Sequence, residues 1–438
     1  MSSATTMPAT SGISRLIALL AGAHFAHHVL TALLVPLLPF IRDEFGLSYA
    51  QSGIVNSAFT LSYGLSQLPA GWMADRVGPR YMLLVGISGV AVAGAFIGLS
   101  PVFALLLAGL VLMGVAGGGY HPAASAVISK VVSPERRGRA RGIHIIGGSS
   151  SHFLAPLIAA GLVALVGWRG SFLSLSVPVG VLGLAVFLMI ERRIHHVDGY
   201  ARAHAGAQTV EREKSAGAEA TPGAEAGTPP GAGGAAGDAG GHRRAGGAAV
   251  HMTFFLILTG IISAAVSSTI PFIPLYLVDI RGVDDRLAAG FISVVFGAGL
   301  FAAPLGGWLS DVFGRVPVMI GVGILLSPLL ALIPLTPFPV VMFVLLLAIG
   351  TLMFTRMPTA EAHIAAEVAE RHRSTVLGIY FFSGMEGSAL LTPLLGSAID
   401  RWGFGAAFSG LGAALAAVVV ACGTGLALSR RRGNRAAV

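Results

Sequence analysis

The sequence predicts an all-α membrane protein: twelve transmembrane helices in two six-helix pseudo-symmetric halves around a central cavity. Three observations predict it. Mean hydropathy is +0.79 and only 11% of residues are charged, against about 25% in soluble domains. Apolar runs of about 20 residues recur, each able to cross a hydrocarbon core of about 30 Å. The chain also repeats itself at a constant offset of 236 positions.

In the amino-terminal half the spans read 14–40, 50–71, 81–99, 102–128, 142–165 and 171–190. In the carboxyl-terminal half they read 252–277, 288–309, 317–334, 338–363, 375–398 and 406–428. The first run is too long for the apolar region of a leader and is read as a span. Of the 28 Lys and Arg residues, 22 fall on the side shared by the termini, five on the other side and one, Arg356, within a span. Excess positive charge marks the cytoplasmic face, which puts both termini in the cytoplasm of a multi-pass protein of the cell (inner) membrane. The basic pI of about 10.2 thus reflects topology and does not point to nucleic acid. A single cysteine, Cys422, excludes an intrachain disulfide and a cysteine-based zinc cluster. Residues 1–190 and 251–438 form the halves. Between them, 191–250 is rich in Gly, Ala and Pro with little to bury, and reads as a disordered cytoplasmic linker.

The repeat matches Gly71 and Trp72 with Gly307 and Trp308, Asp75 with Asp311, Gly78 with Gly314, Pro122 with Pro358, Gly148 with Gly384 and Phe172 with Phe408. At an offset one residue smaller, Pro36 and Pro39 fall on Pro271 and Pro274. Six spans duplicated in one orientation make the plan of carriers whose halves rock about a central site. Pro122 and Pro358 are expected to bend spans four and ten and free backbone carbonyls there.

The loop GWMADRVGPR (71–80) and its second copy GWLSDVFGR (307–315) resemble the cytoplasmic signature of the major facilitator superfamily, over essentially the whole chain. The resemblance implies a secondary transporter working by alternating access, with a conformational latch in these loops. Its residues are Gly71, Asp75, Arg76, Gly78 and Arg80, and in the second copy Gly307, Asp311, Gly314 and Arg315. Pro79, Val312 and Val316 depart from the basic residues usual there, which weakens the second copy. The stretch from Gly117 to Leu157, GGGYHPAASAVISKVVSPERRGRARGIHIIGGSSSHFLAPL, is similar to the fosmidomycin-resistance subgroup of drug efflux carriers. That likeness implies export. The acid that often follows the first-span histidine in that subgroup is absent here.

Ionisable groups inside spans cost about 3 kcal/mol or more to desolvate, so each is a functional candidate. The run HFAHH places His24, His27 and His28 in span one. His24 and His28, one turn apart, are expected as the cavity pair taking part in proton coupling, with His27 turned toward packing or substrate. His121 and Tyr120 before Pro122, and His152 in the Gly- and Ser-rich fifth span, are candidate substrate contacts. Arg356 is the repeat counterpart of Tyr120 and suits an anion. Glu386, the sole acid deep in a span, is the candidate proton carrier and is expected to pair with Arg356. His144, His363 and His372 border charged loops and are read as interfacial. No metal is expected: span one lacks carboxylate or thiolate ligands, and its three histidines cannot all face one ion. GGSSSH (147–152) reads chiefly as a close-packing stretch.

These residues fit a proton-coupled exporter of a small organic compound, anionic by the excess of Arg356 and histidines over acids. Proton-linked uptake of a carboxylate or metal chelate is the alternative. A histidine-dependent membrane enzyme would need histidine-rich boxes at the cytoplasmic face, which the chain lacks. No nucleotide-binding G-x-x-x-x-G-K-[ST] loop occurs, so coupling is to an ion gradient. No cofactor is expected, and the partners are substrate, protons and lipid, with the chain a monomer.

Overall fold

The computed structural model describes residues 10–132, 134–216 and 238–435. Among the described residues nine helical stretches are long and apolar enough to cross a membrane. Two of these, Arg136–Ile190 and Thr375–Ser429, are each 55 residues long and hold two spans apiece, turning at Gly167 and Gly403. The more polar helix Tyr49–Val77 supplies span two, which completes twelve.

The repeat is visible in the backbone itself. Six described glycines have positive φ, and they form three pairs 236 residues apart: Gly46 with Gly282, Gly78 with Gly314, and Gly167 with Gly403. Gly78 and Gly314 let one span follow another without a loop. Gly167 and Gly403 combine φ of 70° and 75° with ψ of 174° and 168°, a region open essentially to glycine alone. The caps repeat too: Ser48 accepts from the Gln51 amide at the start of span two, and Asp284, its counterpart, accepts from the Arg286 and Leu287 amides at the start of span eight.

Proline breaks set the helix shapes. Span one is two helices, Thr10–Thr31 and Leu34–Phe45, and span seven is Asp238–Thr269 followed by Phe272–Asp279. The break in span seven falls at Pro271 and that in span one at residues 32–33, one turn before the matched Pro36; neither proline has the N–H that would continue the ladder. Span four breaks at Gly118–Gly119 into Phe103–Gly117 and Tyr120–Val131, just before Pro122. Span ten does not follow: Val340–Glu367 runs on through Pro358 as one helix. The difference lies upstream, where the flexible Gly118 and Gly119 have Phe354 and Thr355 as counterparts. Span three carries a π-helical turn, Val85–Gly89, between Pro79–Leu84 and Val90–Gly98.

Where the sequence predicts a linker over 191–250, the helix of span six continues to Ala216 and another begins at Asp238; residues 217–237 lie outside the described residues.

The halves meet along spans two and eleven, and along spans five and eight. Small residues permit the approach: a Cβ on Gly53 would lie 2.8 Å from Pro393 Cα, and one on Gly297 3.1 Å from the Phe153 ring. Ser57 Oγ donates to the Ala389 carbonyl at 2.6 Å, and Ser293 Oγ to that of Phe153 at 2.8 Å.

Candidate functional site

Between the halves lies a cavity of about 400 Å³. The amino-terminal half contributes Asn56, Thr60 and His152; the other half contributes Ser263, Ser267, Phe296, Arg356, Tyr380 and Ser388. His152 and Ser388 are repeat counterparts, so one position faces the cavity from both sides. Arg356 donates to the Tyr380 hydroxyl at 3.0 Å and to Ser263 Oγ at 3.1 Å. Both partners are neutral, and no Asp or Glu lines the cavity. Among the described residues the guanidinium is thus held without a salt bridge; the half-buried Glu361, five residues along the same helix, acts on it electrostatically but does not line the cavity.

Glu386 is not that partner. Its side chain is buried and both carboxylate oxygens lack a hydrogen-bond partner. It points across the interface at span two, where Gly64 leaves room: a Cβ there would overlap Glu386 Oε1. The pairing with Arg356 expected from sequence is absent for a reason of helical phase. Gly384 and Ser388 line the cavity from span eleven, and Glu386 lies about 200° around the helix from either, so it faces elsewhere.

The histidines of spans one, four and five form one cluster. His24 and His28 have ring centroids 4.8 Å apart, and His121 lies 5.1 Å from His24 and 5.2 Å from His28. His28 is 4.7 Å from His152, which alone of the cluster lines the cavity. His24, His28 and His121 thus sit behind His152. His27 is fully buried, stacked on Tyr120 at 4.7 Å, with Nδ1 donating to the Gly86 carbonyl at 2.8 Å. That carbonyl belongs to the π-helical turn of span three, where the ladder is locally rearranged. Tyr120 is also fully buried, its hydroxyl donating to the Leu20 carbonyl at 3.1 Å. Neither His27 nor Tyr120 lines the cavity.

His144 is a correction to the sequence reading. Instead of facing the interface it is buried, with its ring stacked 4.2 Å from His24, while its own carbonyl accepts from His24 Nδ1 at 2.8 Å. His363 is likewise buried, 4.1 Å from the Phe255 ring. The signal for His144 was in the sequence: His144, Gly148 and His152 are four residues apart on one helical stripe. Gly147 abuts the Ala21 backbone, and Gly148 leaves space that the His24 ring fills.

On the side away from the termini the halves are sealed. Arg42 pairs with Asp279, and Tyr49 donates to the same carboxylate at 2.6 Å. Asp400 accepts from the backbone amides of Tyr49 and Ala50 at 2.9 and 2.8 Å, so span eleven caps the start of span two.

The sequence profile of the Major Facilitator Superfamily matches residues 20–300 and 255–436. The chain belongs to the Major Facilitator Superfamily. That family is one of multi-pass membrane transporters, not of enzymes. The chain is similar to the multidrug resistance protein MdtG of Dickeya zeae, 28% identical over 86% of each chain. It is also similar to the fosmidomycin resistance protein of Escherichia coli, 28% identical over 39% of this chain and 41% of that one. Other curated relatives are matched over 25% to 59% of their length. Among solved structures it resembles a bacterial homologue of the human lysosomal transporter Spinster, with TM-score 0.70 and 19% identity over 98% of this chain and 97% of that one. That likeness concerns the fold.

In this facilitator-superfamily chain the two loops read from sequence as a latch lie at the turns from span two to span three and from span eight to span nine. Arg76 lies over the Trp72 ring at 4.0 Å, and Arg80 donates to the Tyr81 hydroxyl at 2.7 Å. The Asp75 side chain lies outside the described residues. A Cβ on Gly71 or Gly307 would meet open space, so these two glycines do not mark a close helix contact here. Asp311 is exposed, and Gly314 turns span eight into span nine with Arg315 opening the next helix.

Proposed function

We propose that this facilitator is proton-coupled and exports a small organic anion by alternating access, from a cell membrane in which both termini face the cytoplasm. One observation carries the reading: Arg356 is held in the cavity by two neutral hydroxyls, no acid lines the cavity among the described residues, and Glu361 acts on the guanidinium only electrostatically from off the cavity wall. An anion entering the cavity would meet that charge, with His152 opposite as a hydrogen-bonding partner. Glu386 is the proton carrier. An unpartnered carboxylate buried between helices is costly as an anion, so its occupancy by a proton is tied to whether the halves enclose it. The names of the resistance proteins it resembles support export. The 22-to-five distribution of basic residues supports the orientation.

The experiment is transport in everted membrane vesicles with an imposed proton gradient, screening anionic and cationic toxic compounds against wild type, Arg356→Ala and Glu386→Gln. Gradient-driven uptake of an anion is expected, weakened by Arg356→Ala through a raised KM and lost in Glu386→Gln. Full gradient-driven transport by Glu386→Gln would remove the carboxyl from the coupling scheme, and an exclusively cationic substrate would remove the role of Arg356.

A further inference from the structure

We propose that His24, His28 and His121 form a binding site for a divalent first-row transition metal ion, zinc in the first instance, behind the cavity wall. One ring nitrogen from each can be chosen so that all lie within 4.8 Å of one another. A tetrahedral ion bound at about 2.0–2.1 Å sets its ligand nitrogens roughly 3.4 Å apart, so small rotations of the imidazoles close the site. Two further features mark it as built for this. The His24 Nδ1 bond to the His144 carbonyl fixes the proton on Nδ1, because a carbonyl can only accept. This leaves His24 Nε2 as a buried lone pair with no hydrogen-bond partner, which is the state a metal-ligating imidazole needs and the outer bond that usually holds it. The ring in turn occupies space that exists only because residue 148 is glycine.

Sequence spacing argued against a metal because span one supplies only two histidines to any one side. The fold adds the third, His121, from span four across the Gly118–Gly119 break. His28 and His121 are only partly buried, and His28 touches His152 on the cavity wall, which gives an ion a way in. Three neutral imidazoles match the borderline ions that imidazole favours, and they leave a fourth position for water or an anion. The inference does not depend on what is transported or on how transport is coupled.

The test uses the full chain without a polyhistidine tag, purified in detergent, stripped with a chelator and titrated with zinc by calorimetry and with cobalt(II) by visible absorption. One saturable equivalent with the absorption of tetrahedral cobalt is expected. His28→Ala and His121→Ala should weaken zinc binding by at least roughly 100-fold, while His251→Gln, at a histidine outside the cluster, leaves it unchanged. His121→Cys guards against simple misfolding: it should keep the ion and add a thiolate-to-cobalt charge-transfer band. Absence of saturable binding, or equal affinity in wild type, His28→Ala and His121→Ala, would overturn the proposal.

Discussion

Tyr120 and Arg356 stand at equivalent positions of the repeat, yet one is sealed among histidine rings and the other reaches into the cavity. Their surroundings have diverged together. The Tyr380 that orients Arg356 is the counterpart of His144, which stacks on His24. One half has become a neutral aromatic and imidazole cluster and the other a cationic contact. The substrate charge is therefore expected to be read by the carboxyl-terminal half.

Arg356→Lys tests that reading by keeping the charge and losing the two-armed geometry. Hydrogen bonds involving a charged group contribute about 1.5–3 kcal/mol, so Arg356→Ala should raise KM for an anion by roughly 10- to 100-fold. Arg356→Lys should recover only part of the loss, because an ammonium cannot reach Tyr380 and Ser263 as the guanidinium does. Initial rates of vesicle uptake measure both.

Gly64 and Glu386 should be energetically coupled. Gly64→Ala forces the carboxyl to move, at a cost of about 1–3 kcal/mol for overpacking. Combining it with Glu386→Ala should cost less than the two changes added together, by about 0.5–3 kcal/mol for contacting residues. Thermal stability in detergent across the four proteins gives the coupling. Strict additivity would mean that the two residues do not touch in the stable state.

The outer seal should set the conformational equilibrium. Asp279→Asn removes the charge that holds Arg42 and an acceptor for the Tyr49 hydroxyl, a loss of about 1–3 kcal/mol. The population open on that side should rise between about 5- and 150-fold. Spin-label distances between the loops at 46 and 282 should lengthen in this variant and stay unchanged in Glu44→Gln, which loses contacts made only within the amino-terminal half, to Trp168 and Arg169. A shortened distance would contradict the seal.

Gly167→Ala and Gly403→Ala should each destabilise the fold by about 1–3 kcal/mol, since their backbone conformation is essentially closed to other residues. Gly405→Ala, which meets open space at ordinary φ, should be silent in the same melting assay.

The fold was legible because two coarse signals survive any detail: runs of apolar residues, and the single offset that relates the halves. That offset placed Gly78 and Gly314 at the same turn, and the structure finds the same relation at Gly46 and Gly282, where the sequence reading had not looked. The polar and ionisable residues inside the spans are legible in the sequence, but their contacts are not. Glu386 and Arg356 were placed together by depth alone, and depth carries no information about which way a side chain points around its helix. His144 reads as interfacial when span five is taken to begin at residue 142. The helix begins at Pro134, more than two turns earlier, and this carries His144 from an apparent end into the packed interior.

Counted by the same offset, Asp43 and Asp279 are one residue in two copies, and Arg42 binds both. The counterpart of Arg42 is Val278. Without Arg42, the two copies of this acid would stand against each other at the rim. One cation, present in only one half, converts mutual repulsion into a clasp, so closure of the outer mouth rests on a position where the two halves differ.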